Sequence, residues 1–417
     1  MEKQKNMPVM RFPEFRDVWE TTKLDSVILK LESGVSVNSI DEPVLNGDGF
    51  GVLKTSCVSS GKFIPIENKK ILGEEYNRAK LNPIKDSIII SRMNTPQLVG
   101  ESGYITMDYP NLFIPDRLWM IRPDKTKINS KYLSIILASV KVKALISNIA
   151  TGTSGSMKNI SQPNFLNISV LITSLPEQIK IATFLNLIDE RLTQLKQKKT
   201  LLEQYKKGVM QKIFDQEIRF KDDDGSEYPD WNVKTLGEIA VKKIVKNKDN
   251  NVTNVFTNSA SQGIVNQRDF FDKDIANQNN LLNYYVVENN DFIYNPRISN
   301  HAPVGPISRN HLQTGVMSPL YSVFTFKQGS LDFFETYFST TDWHEYMKGI
   351  ANYGVRADRM SFSIGDFYLM PLPFPCPAEQ TKIANFLSAI DEKMNGCGKQ
   401  IEKTEAYKKG LLQQMFV

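Results

Sequence analysis

The chain has 417 residues, of which 41% are hydrophobic and 23% are charged, and its formal net charge is +5. This length allows two or three domains, and the composition is that of an ordinary globular chain rather than a disordered or membrane-spanning one. Residues 1–11 are polar and predict no signal peptide, and lysines interrupt the apolar segment 132–150, which predicts an amphipathic helix rather than a membrane span.

Cysteine and histidine positions exclude two kinds of site. Three scattered cysteines give no disulfide framework and favour a reducing compartment, so we expect a cytoplasmic protein with no membrane partner. No histidine stands at a metal-ligand spacing from a cysteine, so we predict no metal site. The residues concerned are Cys57, Cys376, Cys397, His301, His311 and His344.

Catalytic motifs are also missing from the sequence. It contains no phosphate-binding loop, no GxSxG elbow and no HExxH helix. Asn295-Pro296-Arg297 only begins an amino-methyltransferase motif. Asp391-Glu392-Lys393 has a mid-helix counterpart in Asp189-Glu190-Arg191, which favours exposed helix charges over a nuclease site. We therefore predict no catalytic residues and no stand-alone enzyme.

In chain order, a short leader with Arg11, Phe12 and Trp19 comes first. A first insert, residues 23–175, follows it. Within this insert we predict strands at 86–92, 118–121 and 168–172, and a helix over 129–149. The leader then recurs at Arg219, Phe220 and Trp231. A second insert, residues 233–376, carries predicted strands at 291–297, 321–326 and 367–372 and a helix over 331–350.

Each insert is followed by a long predicted helix, over residues 177–214 and 379–416. Aligned without a gap, 17 of the 38 positions are identical, which identifies an internal duplication. Apolar residues recur at alternating steps of four and three, the period of a coiled-coil seam, and each helix would be roughly 57 Å long. We predict helix pairing through Ile181, Leu185, Ile188, Leu192, Leu195, Ile383, Leu387, Ile390, Met394 and Ile401.

Two features of these helices keep alternative explanations open. Lys199, Lys206 and Lys408 occupy seam positions, where they either set the register or mark an opening onto a partner. The lysine run between Lys196 and Lys212 is either a solvated face or a surface that faces phosphates. Gly396 and Gly398 interrupt the second copy, at about 1 kcal/mol each relative to alanine.

The predicted fold is α+β: two globular mixed α/β domains joined by two long antiparallel coiled-coil helices, pseudo-two-fold and nearly circular. The predicted boundaries are 1–22 for the leader, 23–175 for domain one, 176–216 for helix one, 217–232 for the second leader, 233–376 for domain two and 377–417 for helix two.

The loops of the inserts are rich in side chains that contact DNA. Arginine suits guanine, asparagine and glutamine suit adenine, and serine and lysine more often hold phosphates. For any single residue, ordinary loop solvation remains the alternative. The candidate DNA-binding residues are Arg92, Asn94, Thr95, Gln97, Thr153, Ser154, Ser156, Lys158, Asn159, Asn258, Ser259, Gln262, Arg297, Asn300, His301, Arg356 and Arg359.

The layout resembles the specificity subunit of a type I restriction–modification system. The resembling motifs are LPEQ at 175–178 and PAEQ at 377–380, each followed by IA, FL and IDE, together with the leader RFPEF at 11–15. The GCG at 396–398 departs from the smoother pattern of the family.

The resemblance implies a non-catalytic subunit that reads a bipartite site in double-stranded DNA. It would recruit two modification subunits, which methylate adenine with S-adenosylmethionine, and two restriction subunits, which use ATP and Mg²⁺. No cofactor is expected in this chain itself. The alternatives are a lone sequence-specific DNA-binding protein and a coiled-coil scaffold whose end domains bind proteins.

Overall fold

A computed structural model describes residues 7–44, 48–152, 157–270, 278–352 and 358–416. The chain divides into two compact units. Unit 1 comprises Met1–Lys196 and Lys399–Val417, and unit 2 comprises Gln197–Gly398. The divisions fall inside the two long helices, so each unit contains one insert and a segment of each helix.

Unit 1 is built on a six-stranded sheet of order β2-β12-β8-β10-β6-β5, with a four-stranded sheet of order β11-β4-β7-β3 beside it. Buried apolar runs such as Ile88–Ser91 explain the central strands. The strands of unit 1 are β1 Glu20–Lys23, β2 Ile28–Ser33, β3 Ser39–Ile40, β4 Gly51–Leu53, β5 Val58–Ser59, β6 Gly61–Phe63, β7 Asn68–Ile71, β8 Ile88–Ser91, β9 Met93–Asn94, β10 Ser102–Tyr104, β11 Leu112–Phe113, β12 Leu118–Pro123, β13 Lys158–Asn159 and β14 Ser169–Ile172. Its helices are α1 Ser130–Ala138, α2 Val140–Ile149 and α3 Gln162–Leu166, followed by the long α4 Leu175–Phe214.

Unit 2 repeats the central part of this architecture. Its four-stranded sheet has the order β16-β23-β20-β21, which matches β2-β12-β8-β10, and the pair β15-β24 matches β1-β14. The strands of unit 2 are β15 Asn232–Thr235, β16 Ala240–Lys242, β17 Phe256–Ser259, β18 Gly263–Asn266, β19 Tyr285–Val287, β20 Phe292–Tyr294, β21 Ile307–Arg309, β22 Gly315–Met317, β23 Ser322–Phe326 and β24 Pro371–Phe374. Its helices are α5 Leu236–Ile239, α6 Gln267–Phe270, α7 Leu331–Phe338, α8 His344–Ile350 and α9 Ile364–Tyr368, followed by the long α10 Pro377–Met415.

Three predicted elements of the inserts were wrong in their extent. The helix predicted over 129–149 is two helices, because the Ser139 hydroxyl caps α2 and bends the chain by 70°. The helix over 331–350 likewise divides into α7 and α8. The strand predicted over 367–372 begins only at Pro371, because Ser363 caps the short helix α9 first.

The mixed α/β fold with two long helices is otherwise confirmed. Despite Gly396 and Gly398, α10 is continuous, and a Cβ added at either glycine would meet no atom within 4 Å. Within the described residues, no single helix is both long and apolar enough to cross a membrane; α1 and α2 together form one bent pair that passes by length and composition.

A buried glutamate at the start of each long helix holds the leader in place. Glu177 and Glu379 are fully buried. Arg11 donates to both carboxylate oxygens of Glu177, at 2.6 and 2.7 Å, and Arg219 donates to those of Glu379, at 3.2 and 2.9 Å. The hydrogen bond to Glu177 raises the pKa of Arg11 above its ordinary value. The motif residue shared by both repeats is thus a charge-paired anchor.

The glutamine that follows each anchor holds the neighbouring domain. The Gln178 side chain accepts from the Asn129 backbone N–H at 2.8 Å, and Gln380 accepts from that of Ser330 at 2.7 Å. Asn129 and Ser330 are the N-caps of α1 and α7. The repeated Glu-Gln dipeptide therefore joins the leader, the long helix and the first helix of the insert in each unit.

The long helices pair antiparallel within each unit, and two seam lysines take part. In unit 1, Lys408 Nζ lies 2.5 Å from an Asp189 oxygen. In unit 2, Lys206 Nζ lies 2.7 Å from an Asp391 oxygen. These two ion pairs are repeat copies of each other, 202 positions apart. Lys199 instead lies 3.9 Å from Glu203 of its own helix.

The C-terminal segment of α10 completes the core of unit 1. Leu411 and Met415 are buried in the same cluster as Ile181 and Leu185. The Phe416 ring lies 6.3 Å from that of Trp19 and 5.8 Å from that of Tyr132. The core of the first part of unit 1, up to Lys196, is therefore completed by a segment that begins some 200 residues later in the chain.

We predict that Glu379→Ala lowers the free energy of unfolding by about 3–5 kcal/mol, because it leaves the Arg219 charge half-buried without its partner. Urea denaturation measures this change. Asp230→Ala is the matched control, since Asp230 is fully exposed and lies 3.5 Å from the same arginine. The control should unfold like the native chain. Equal stability of the two variants would contradict the anchoring role.

We also predict that a fragment of residues 1–216 forms a homodimer. It lacks the segment 399–416 that covers Trp19 and Tyr132, and its own residues Val209, Ile213 and Phe214 stand at the repeat positions of Leu411, Met415 and Phe416. A second copy of the fragment can cover these residues with its own helix, because exposed apolar faces favour association. Light scattering would detect the dimer.

The same fragment carrying Ile213→Asp should remain monomeric, because a charge would enter the apolar contact. A monomeric unsubstituted fragment would show that the two helix segments are not interchangeable. In a homodimer of the fragment, Lys199 stands where the intact chain has Ile401. This added charge would then explain why the fragment does not dimerise.

Candidate nucleic-acid interface

Unit 1 brings several predicted DNA-binding residues together in a small ribbon. Lys158 pairs with Asn94 and Asn159 with Met93, so β13 lies antiparallel to β9. Thr151 forms a further bridge to Asn159. The ribbon, residues 92–95 with 151 and 157–160, starts at the end of the central strand β8. The fold thus gathers residues more than 60 positions apart in sequence.

The ribbon combines basic and amide side chains. Arg92 is half-buried with its guanidinium 5.7 Å from the centre of the Trp119 ring. Asn94 donates to the Ser91 hydroxyl at 3.2 Å and accepts from the Thr95 backbone at 2.9 Å. Arg92 Nε and Asn159 Oδ1 are buried without a hydrogen-bond partner in the described part of the chain. Unsatisfied buried groups of this kind cost about 1–3 kcal/mol each.

Unit 2 has a comparable ribbon at the end of the equivalent strand, β20. Arg297 bridges Arg359, and Ser299 bridges Ala302 in a tight turn. Arg297 is exposed, and Asp358 lies 3.9 Å from its guanidinium and 3.8 Å from that of Arg359. Asn300 and His301 are exposed at the tip of the turn. This second ribbon, residues 296–302 with 358–360, carries more arginine than the first.

A glycine follows each ribbon and lets the chain turn back into the sheet. Gly100 and Gly305 have φ of +82° and +79°. A Cβ at Gly305 would lie 2.0 Å from the Asn295 carbonyl oxygen, so only glycine fits there. The repeated Val-Gly pairs seen in the sequence are therefore part of the frame that positions the ribbons.

The structure places three other predicted residues outside the ribbons. Asn258 is 1% exposed: it donates to the Ile293 carbonyl at 2.8 Å and accepts from the Ser308 hydroxyl at 2.8 Å. Ser259 is also buried, in the same hairpin. We therefore correct both to structural residues, since their polar atoms serve the fold. Gln262 is exposed in the β17–β18 turn.

The remaining predicted residues are divided between two situations. Gln97 is exposed and lies in the wall of a groove beside α1 and α2. Thr153, Ser154, Ser156 and Arg356 lie outside the described residues.

Sequence reasoning missed Arg117. It is exposed, and its carbonyl oxygen accepts from the Arg92 backbone N–H at 3.1 Å, so it lies beside the first ribbon. The second insert has no basic residue just before β23, so comparison of the repeats could not reveal it. The position of Arg117 directly before the predicted strand 118–121 is the sequence feature that could have identified it.

The described residues contain no cluster of three or more His, Cys, Asp or Glu side chains that could hold a metal ion. The chemistry on offer at the ribbons is hydrogen bonding and positive charge, which suits recognition of base edges and phosphates.

Comparison with known proteins finds a family match in the first half of the chain. Residues 18–204 are similar to the family model described as type I restriction modification DNA specificity domain. The resemblance read from the repeated motifs is thus confirmed.

Two relatives that are named as specificity subunits are also similar to this chain. The protein described as the type I restriction enzyme MjaX specificity subunit of Methanocaldococcus jannaschii is 24% identical over 98% of this chain and 95% of its own length. The type I restriction enzyme EcoEI specificity subunit of Escherichia coli is 26% identical over 39% of this chain and 27% of its own length.

A solved structure shows the same fold. The S subunit of a type I restriction–modification system from M. genitalium has a TM-score of 0.58 with 16% identity, and 99% of each chain is covered. The similarity of fold therefore covers the whole chain and not only residues 18–204.

We predict that Asn258→Ala lowers the free energy of unfolding by about 1–3 kcal/mol, because its buried partners lose their hydrogen bonds. Gln262→Ala, four residues away in the same hairpin and exposed, is the control and should leave stability unchanged. Urea denaturation of both variants compares them. An Asn258→Ala variant as stable as the native chain would return Asn258 to the candidate DNA-binding residues.

Proposed function

We propose that this chain is the DNA-reading specificity subunit of a type I restriction–modification complex. The observation that carries the proposal is the pair of ribbons. Each begins at the end of the same central strand, β8 or β20, on a frame that the two units share. Their side chains differ, which suits two readers of two different DNA sequences.

The residues of the ribbons indicate how each half-site would be read. Exposed Arg117 and Arg297 have the fork that contacts guanine O6 and N7, while Asn94 and Asn300 suit adenine. Lys158 would hold a phosphate. Because the two readers belong to one chain, the recognised double-stranded DNA site would be bipartite, with an unread gap between its halves.

The resemblance to type I specificity subunits supports a proposal for the partners. We infer that the chain recruits two modification subunits, which methylate adenine with S-adenosylmethionine, and two restriction subunits, which use ATP and Mg²⁺. It would itself be non-catalytic and would hold none of these cofactors. We expect it in the cytoplasm, where the DNA is.

Co-expression with a modification subunit and sequencing of the methylated adenines test this function. We predict one bipartite motif. A single contiguous motif would contradict two separate readers. If the chain shifts DNA alone and never co-purifies with a modification subunit, it is a lone DNA-binding protein. If it binds no DNA, the scaffold alternative holds.

Within the same assay, we predict that Arg297→Ala relaxes base choice in one half-site, and Arg117→Ala in the other. Loss of a bidentate guanine contact costs about 1–3 kcal/mol of discrimination. Lys327→Ala is the control in unit 2, because it is exposed beyond the far end of β23 from the ribbon. Its motif should be unchanged. If the methylated motif is unaltered in both arginine variants, residues of other loops contact the bases.

A further inference from the structure

One acidic residue, Asp358, belongs to the second ribbon. Its side chain is exposed, and its Oδ2 atom lies 3.9 Å from Nη2 of Arg297 and 3.8 Å from Nε of Arg359. Charge-assisted hydrogen bonds are shorter, at about 2.7–2.9 Å. The backbone fixes the arrangement, since the Ile298 N–H donates to the Asp358 carbonyl at 3.0 Å and Arg297 forms a bridge with Arg359. The carboxylate is therefore held beside two guanidinium groups without being bound tightly by either.

The first ribbon has a lysine at the equivalent position. The Ile160 and Met360 backbone N–H groups each donate to a carbonyl on the opposite strand of their own ribbon, at 2.9 and 2.8 Å. The side chains of Ile160 and Met360 are both buried, so these residues close the two ribbons in the same way. The residue two positions earlier is Lys158 in the first ribbon and Asp358 in the second. The charge at this position is thus reversed between the units.

Folding stability does not explain an acid at this position. An exposed ion pair contributes little to stability, because solvent screens it and ordering two side chains costs entropy. In a surface that faces DNA, a carboxylate is also unfavourable, because the phosphates carry the same charge. This cost is offset where the carboxylate accepts a hydrogen bond from a base.

The major groove offers two amino donors, N4 of cytosine and N6 of adenine. Adenine N6 stands beside the N7 acceptor, which repels a carboxylate. Cytosine N4 has no acceptor beside it on its own base. Cytosine is therefore the base that suits Asp358.

Arg297 suits the other base of the same pair, because a guanidinium group binds guanine O6 and N7. Guanine O6 and cytosine N4 are hydrogen-bonded to each other, so two protein groups less than 4 Å apart can contact both bases. Among the described residues, Oδ2 is the oxygen of Asp358 that both ion pairs use. Its Oδ1 atom is then the one to accept from the cytosine amino group.

We propose that Arg297 and Asp358 together read one G·C base pair in the second half-site, with Arg297 on guanine and Asp358 on cytosine. Arg359 is a positioning residue that keeps the carboxylate beside Arg297. The reversed pair is rejected, because the carboxylate would then face the guanine acceptors and the guanidinium group the cytosine amino group. The inference rests on the proposed function and adds to it a specificity-determining residue and the base pair that this residue selects.

Selection of bound sequences from a random library by the complex of this chain with its modification subunit tests the proposal. The native site should contain a G·C pair at the position that Arg297→Ala relaxes. Asp358→Ala should lower the preference for the same base pair about tenfold, as expected for the loss of one base-edge contact. It should also strengthen binding to unrelated DNA at fixed salt, because one negative charge near the phosphates is removed.

Asp230→Ala is the matched control. Asp230 is an exposed acid that lies 3.5 Å from the guanidinium group of Arg219, and it belongs to the second leader rather than to the ribbon. The control changes the net charge by the same amount and should leave the selected sequence unchanged. The proposal is overturned if Asp358→Ala also leaves the selected sequence unchanged, or if the position that Arg297→Ala relaxes is not a G·C pair.

Two further variants separate a base contact from an effect on Arg297. If Asp358 contacts cytosine itself, Asp358→Ala and Arg297→Ala remove separate contacts, and their losses of preference multiply in the double variant. A double variant that discriminates no worse than Arg297→Ala alone overturns the cytosine contact. Asp358→Asn should keep cytosine and also admit adenine, because a carboxamide retains an acceptor oxygen and binds adenine N6 and N7. Equal acceptance of all four bases by Asp358→Asn overturns the contact as well.

The two proposals fail differently. A native complex that selects no bipartite sequence overturns the proposed function, and this inference with it. A native complex that selects one, while Asp358→Ala behaves like Asp230→Ala, overturns the reading of the G·C pair alone.

Discussion

The buried carboxylate at the start of each long helix is the interaction on which the rest of the structure depends. A carboxylate without solvent must be paired and hydrogen-bonded, and Glu379 meets this demand with donors from two places, Arg219 and the Trp231 indole at 2.9 Å. Both donors lie in the leader, more than 140 residues before the helix. The leader, the last strand of the insert and the helix start are therefore fixed together. The neighbouring glutamine extends the same constraint to the first helix of the insert.

The ion pairs in the helix seam supply a second constraint, on register. Lys206 with Asp391 and Lys408 with Asp189 form only if the helices run antiparallel in one particular register. A purely apolar seam with a seven-residue repeat would tolerate a shift by one heptad, whereas a shift here would leave two half-buried lysines unpaired. The polar seam residues thus specify alignment at some cost in apolar burial.

The sequence alone predicted the frame better than the site. Heptad spacing and 17 shared identities located both long helices, because these signals are local and repeated. The role of Lys206 stayed open because its partner lies 185 residues away. The break at Ser139 was missed because apolar spacing continues across it. At the candidate site, the sequence placed Arg92 and Arg297 directly after strands, and the structure locates both in the ribbons, while their contact with DNA stays a prediction. Asn258 was misassigned because the sequence alone does not distinguish an asparagine that contacts a base from an asparagine that stabilises a hairpin.

Duplication explains which parts of the two units remain alike. The residues shared by both repeats include several with buried polar or paired roles: the Glu-Gln anchors, the Lys–Asp pairs and the glycines after the ribbons. The arginines at the ribbons differ between the units, since the second ribbon carries Arg297 and Arg359 where the first carries Arg92 alone. Two units with one skeleton therefore present different surfaces. A symmetric frame with asymmetric surfaces can read two unlike sequences.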